Sequence, residues 1–239
     1  EYLKRAIESA QSAVNQNRDN YLNWLQLARV YESVVPIKIE GAYDEAKKSY
    51  LEAEKLNPTS PALPLAQARL EMAKGDSTKA RDEITRSLQL KNNYTDAVFL
   101  LAQIEVADGN TKKAIEAVSA AAILSPTNPV VFLQLGFFHY SDRNWSEAIR
   151  ALEQAVALEP QYANAKYFLG LSYDRVGRDT DSIAQFEQLV ATNPDNQEVK
   201  FILDNLKAGK SPFSSQSPVD SAPEKRDSPP VSEGDTERE

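Results

Sequence analysis

The chain has 239 residues, 41% hydrophobic and 26% charged, with a formal net charge of −8. That acidic balance argues against non-specific nucleic-acid binding, which needs clustered Lys and Arg, and no run approaches the roughly 18 apolar residues of a membrane span. The absence of cysteine removes disulfides, thiol catalysis and Cys-ligated metals, and no signal-peptide pattern is visible.

The elements follow one period. Pro126, Pro160 and Pro194 lie 34 residues apart, and the same step links Ala80, Ala114, Ala148 and Ser182. It also links Gly75, Gly109, Arg143 and Gly177, and Ala68, Ala102, Gly136 and Gly170. A shared period of this length marks a repeat protein. Within residues 129–162, apolar side chains fall at helical spacing in two runs, one through Phe132, Leu135 and Phe138, the other through Ala148, Ile149, Leu152 and Val156. Ser141 to Asn144 is a polar turn between them. Each unit is therefore predicted to be two antiparallel helices, A then B, brought close by the small residue at position eight and the Ala at position twenty.

Residues 1–20 read as a helix B without its helix A, since Ala6, Ala10 and Ala13 stand in the register of Ala46, Tyr50 and Ala53. With no starting Met and a beginning in mid-repeat, the chain reads as a fragment. Its first helix should leave the stripe Leu3, Ala6, Ile7, Ala10 and Val14 uncovered, prone to fraying or self-association. Repeat 1, residues 21–60, carries six surplus residues between Tyr31 and Ala46. Pro36 disfavours helix at Val35, so helix A should end there. Val34, Val35, Ile37 and Ile39 are expected to tuck onto the first helix pair, although an insertion on one face of a solenoid is also a frequent binding feature.

In this first full repeat, Trp24, Leu27, Ala28, Tyr31, Ala46, Tyr50, Ala53 and Pro58 resemble the signature of the tetratricopeptide repeat (TPR) family. The resemblance covers residues 1–208 and implies an all-α, right-handed α-solenoid of helix-turn-helix repeats. Repeat 2 (61–94) is the least regular, with Gln67 in place of Leu and Asn92 in place of Pro. Repeat 3 (95–128) has an alanine-rich helix B of high helix propensity. Repeats 4 (129–162) and 5 (163–196) are the most regular. Residues 197–208 form an amphipathic capping helix, as terminal repeats require. Residues 209–239, rich in Pro, Ser and acidic side chains, are expected to be a disordered tail, with Phe213 a candidate anchor for folding back.

A catalytic site needs a nucleophile, an acid–base pair or a metal cluster. The single histidine, His139, sits in the register of Tyr31 and Tyr173 and reads as a packing residue; the glycines stand singly rather than in a phosphate loop. The chain is thus expected to be neither an enzyme nor a cofactor protein. In the TPR family the concave surface is lined by positions two, five, nine and twelve of helix A. That mapping implies a peptide-binding groove containing Arg29, Arg69, Met72, Phe99, Gln103, Phe137, Tyr140, Tyr167 and Asp174, apolar to aromatic along its middle. Position five, which also includes Leu25, Leu65 and Leu133, should partly pack between helices. The carboxylate clamp of chaperone-binding TPRs is not matched, because position five is apolar or aromatic throughout and only Arg29 and Arg69 are basic. The implied partner is a protein or peptide bearing apolar or aromatic side chains. The array is also similar to TPR regions C-terminal to multi-pass bacterial membrane proteins of the O-antigen ligase/polymerase type, which implies an accessory role in glycan assembly. The sequence leaves the compartment open, whether cytoplasmic or envelope-facing.

Overall fold

The computed structural model describes residues 1–214, in which every regular element is an α-helix. The helices are α1 (Tyr2–Gln16), α2 (Tyr21–Glu32), α3 (Ala42–Leu56), α4 (Ala62–Lys74), α5 (Ser77–Leu90), α6 (Thr95–Ala107), α7 (Thr111–Leu124), α8 (Pro129–Ser141), α9 (Trp145–Leu158), α10 (Ala163–Arg175), α11 (Asp179–Thr192) and α12 (Gln197–Lys207). Even-numbered helices are the A helices and odd-numbered ones the B helices. They fall into two compact units, Glu1–Ala117 and a second beginning at Val118. The 34-residue period gives no sign of that division.

In unit 1, α2 and α3 close on Ala28, Ala46 and Tyr50, all fully buried. The α4–α5 pair repeats this with Ala68, Ala80 and Ile84, joined by Ala97 and Ile104 of α6. In unit 2, Leu133, Ala148 and Leu152 form the α8–α9 core with Ala165 and Leu169 of α10. Phe186 and Leu189 of α11 pack with Val199, Ile202 and Leu206 of α12. The contact expected between helices A and B is tightest at the two glycines. A Cβ on Gly136 would collide with the Leu152 side chain and stand 3.3 Å from the Ala148 carbonyl oxygen; one on Gly170 would come within 2.6 Å of the Phe186 ring.

Local chemistry starts and stops the helices. Asn20, Asn128 and Asn196 each accept a hydrogen bond from a first-turn backbone N–H, and Asp76 does so for α5. The turns after α4, α6 and α10 place Gly75, Gly109 and Gly177 at positive φ, and Arg143 takes that place after α8 with φ of 60°. An L-residue there loses roughly 1–2 kcal/mol.

Several expectations need correcting. The stripe on α1 is covered only in part: Ala10 and Val14 are buried against Leu27 and half-buried Leu3 packs on the α2–α3 core, while Ile7 is half-buried and Ala6 exposed. In the insertion, Val34 and Val35 are buried, but Ile37 and Ile39 are exposed, because the backbone reverses at Lys38 (φ 58°) and Gly41 (φ 76°). The start of the segment read as a tail is packed: Pro212 is buried and its carbonyl accepts a hydrogen bond from Asn205 Nδ2 at 2.9 Å. Phe213 is exposed. The remainder of that segment, 215–239, lies outside the described residues.

Two substitutions check this packing. Helix propensities of Gly and Val are similar, so Gly136→Val should lose about 1–3 kcal/mol by overpacking alone; urea unfolding followed at Trp145 measures it. Arg143→Gly should gain up to about 1 kcal/mol, the left-handed strain relieved less the entropy of a glycine, in the same assay.

Candidate binding surfaces

The three groove positions separate in burial because helix A is enclosed on most sides. Position five points between helices: Leu65, Leu133 and Tyr167 are buried, while Leu25 and Phe99 are half-buried. Tyr167 was expected to line the groove, but it is only 7% exposed. Its ring lies edge-on to Phe168 and Phe186, and its hydroxyl donates to Glu198 at 3.0 Å.

Position nine divides by unit. In unit 1 it is Arg29, Arg69 and Gln103, all exposed, on α2, α4 and α6. Neither arginine is in an ion pair among the described residues. Both lie close enough to Glu32 and Tyr50 to favour their charged forms. Glu32 itself accepts a hydrogen bond from the Tyr50 hydroxyl. Burial holds its carboxyl above the usual range, with that bond and the two arginines working in the opposite direction. At position twelve, Met72 is half-buried and Val106 exposed.

In unit 2 the corresponding positions are filled by the protein's own side chains. Phe137 is half-buried, 5.2 Å centroid to centroid from Phe168 in an edge-on arrangement and 5.9 Å from Phe138. Tyr140 is half-buried between Trp145 (5.0 Å) and Phe168 (5.8 Å). Leu171 and Asn205 are buried and Asp174 half-buried. Burial raises the Asp174 carboxyl pKa, with Arg175 pulling it down. The aromatic middle read as groove lining is therefore in large part a ring cluster joining α8, α9, α10 and α11.

A second row was read in the sequence only as the packing register of Tyr31, His139 and Tyr173, without its hydrogen bonds. Position eleven holds Tyr31, Glu71, Glu105, His139 and Tyr173, and it ties helix A to the preceding helix B. Tyr31 accepts from Gln11 Nε2 at 3.0 Å, and Tyr173 donates to Glu153 Oε1 at 2.7 Å. Glu71 accepts from Tyr43 (2.8 Å) and Lys47 (3.0 Å), and Glu105 pairs with Arg81 at 3.0 Å. The signal that could have found it is spacing: each partner stands 20 residues earlier for the tyrosines, and 24 for the Lys and Arg that meet a glutamate. His139 makes no such bond among the described residues: its Nδ1 is buried without a hydrogen-bond partner, as is the second carboxylate oxygen of Glu71. Among the described residues no cluster of His, Asp and Glu could hold a metal ion, and no helix is long and apolar enough to cross a membrane.

The TPR family model matches residues 65–129 and 139–197, together more than half of the sequence. The chain belongs to the tetratricopeptide repeat family, a fold that serves generally as a scaffold for protein–protein interaction. It is similar to the solved structure of the APC/C hetero-tetramer Cut9–Hcn1 (TM-score 0.59, 17% identity), covering 86% of this chain but only 40% of that one. It is also similar to YrrB, described as a TPR protein with an unusual peptide-binding site (TM-score 0.53, 17% identity, 82% of this chain and 97% of that one). The C-terminal part of a TPR protein from Cytophaga hutchinsonii superposes with a TM-score of 0.64 at 18% identity, covering 85% of this chain and 80% of that one. At such identities the likeness concerns the fold alone. No curated protein matches the sequence significantly.

The unpartnered His139 makes a pH prediction. Burial lowers its pKa below the ordinary 6.5, Glu147 and Asp142 opposing the shift and Arg150 adding to it. A lowered folded-state pKa means that the unfolded chain takes the proton first, so stability is fully present above about pH 6.5 and falls as the pH drops below it. Replacing the ring by the register's other residue, His139→Tyr, should remove that component. Melting temperatures from pH 7.5 to 5 should fall more steeply for the wild type than for the variant.

Proposed function

We propose that the chain holds a segment of a partner protein on the helix-A face of unit 1, with Arg29, Arg69 and Gln103 as its polar contacts and Met72 and Phe99 beside them. One observation carries this reading: two exposed arginines on successive A helices, neither in an ion pair among the described residues, next to a carboxylate already engaged by Tyr50. An unneutralised guanidinium pair suits a carboxylate-bearing segment, since Arg presents a planar fork that matches a carboxylate. In unit 2, Phe137, Tyr140 and Asp174 are half-exposed to a ligand, but the two rings are committed to packing. The preferred partner is thus acidic or polar rather than purely aromatic. The glycan-assembly reading has no residue of the described structure behind it.

A comparative pull-down from the native host tests the proposal. Arg29→Gln with Arg69→Gln should lose bound partners with only a modest fall in melting temperature, because both arginines are exposed yet favour the charged form of the nearby Glu32 carboxylate. Phe137→Ala should retain them, but lose about 2 kcal/mol of stability, less than the roughly 3–5 kcal/mol of a fully buried aromatic. Retention of every partner by the arginine variant would sink the proposal.

A further inference from the structure

The insertion of repeat 1 builds a surface feature that the regular repeats lack. After α2 ends, Val34 and Val35 turn into the α2–α3 core, and the chain then reverses outward through Pro36 to Gly41. Backbone bonds from Lys38 N–H to the Val35 carbonyl (2.9 Å) and from Ala42 N–H to the Ile39 carbonyl (3.2 Å) hold the reversal. It leaves two large aliphatic side chains in water, Ile37 at 68% and Ile39 at 48% exposure. Between this loop and the end of α4 lies an open cleft of about 230 Å³, lined by Val35, Lys38, Ile39, Tyr43, Ala73 and Lys74. That is below the ~300–1,000 Å³ of small-molecule sites, and it suits an inserted side chain.

The cleft has a fixed floor and a definite charge. Tyr43 is held by its hydroxyl, which donates to Glu71 Oε1 at 2.8 Å and accepts from Lys47 at 3.1 Å. The Lys74 ammonium sits 3.6 Å from the centroid of the Tyr43 ring. Two of the nearby carboxylates are already paired, buried Glu71 with Lys47 and Asp76 with Lys79, whereas Glu40 and Asp44, exposed and close in sequence, are in no ion pair among the described residues. Lys38 and Lys74 are in no ion pair among the described residues. An apolar recess thus lies between two ammonium groups.

We propose that this cleft docks a partner polypeptide segment carrying an aliphatic side chain beside a carboxylate. The aliphatic group covers Val35, Ile39 and Ala73, and the carboxylate meets Lys38 and Lys74. Charge complementarity selects this occupant, because a basic segment would face the two ammonium groups. The site shares no residue with the arginine row, so the two stand or fall separately.

The test is an amide-shift titration of the full chain with two synthetic probes, acetyl-Asp-Leu-Glu-amide and acetyl-Lys-Leu-Lys-amide. The acidic probe should shift Val35, Lys38, Ile39, Tyr43 and Lys74 in the millimolar range, about fivefold or more tighter than the basic one, as two exposed ion pairs allow. Lys38→Glu with Lys74→Glu should reverse that preference; if the double variant does not fold, Lys38→Glu in the exposed loop should show the same change to a smaller extent. No localised shift, or an equal response to both probes, overturns the proposal. Two further outcomes also overturn it by naming another occupant. Cleft shifts that vanish on dilution assign it to a second copy. Broadening of Ile39 by a spin label on Val219→Cys, the sole cysteine of that variant, assigns it to the chain's own C-terminal segment.

Discussion

The packing of a small residue on helix A against a large one on helix B is the contact on which the rest depends. At position eight stand Ala28, Ala68, Gly136 and Gly170, and their opposites are Tyr50, Ile84, Leu152 and Phe186, each at most 1% exposed. A missing side chain on one helix makes room for a full one on the other, which is how close packing is reached without strain. Once each pair is closed, its A helix is left to meet the neighbouring repeats. That is why α4 and α10 are buried on most of their faces while the B helices keep a solvent side.

Contact between repeats is then decided at position eleven, where the same geometric task is given to different chemistry. Glu71 and Glu105 in unit 1 take charge-assisted bonds from Lys47 and Arg81; Tyr173 in unit 2 donates to a carboxylate. A buried carboxylate is tolerated only with partners, because an unpaired charge there would cost several kcal/mol. His139 occupies the same place with an Nδ1 that has no hydrogen-bond partner among the described residues. It is therefore the one member of the row whose contribution depends on proton binding near neutral pH.

The candidate surfaces were only partly legible in the sequence. Register alone assigns Arg69 and Phe137 to position nine and Tyr167 to position five of their A helices, but register does not say how deep each side chain lies. Tyr167 is buried because Phe168 and Phe186 close over it, and Phe137 is half-covered because Phe168 reaches it from the next repeat. Arg29 and Arg69 are exposed, and among the described residues neither is in an ion pair. The insertion was visible as six surplus residues. Its outcome, two valines in and two isoleucines out, hinges on two left-handed residues, Lys38 and Gly41, and no periodic pattern predicts the first.

The sequence by itself determined the all-α class, the pairing of helices and the repeat family, because a 34-residue period with small residues at fixed places admits few other ways to bury its apolar stripes. Even the turn glycines were readable, since Gly75, Gly109 and Gly177 recur where the backbone must adopt positive φ. Tertiary structure alone decided which members of each register are exposed, where the chain divides into two units, and how the insertion folds. These depend on side-chain contacts between elements far apart in the chain, and a periodic code states position along a helix without stating what stands opposite.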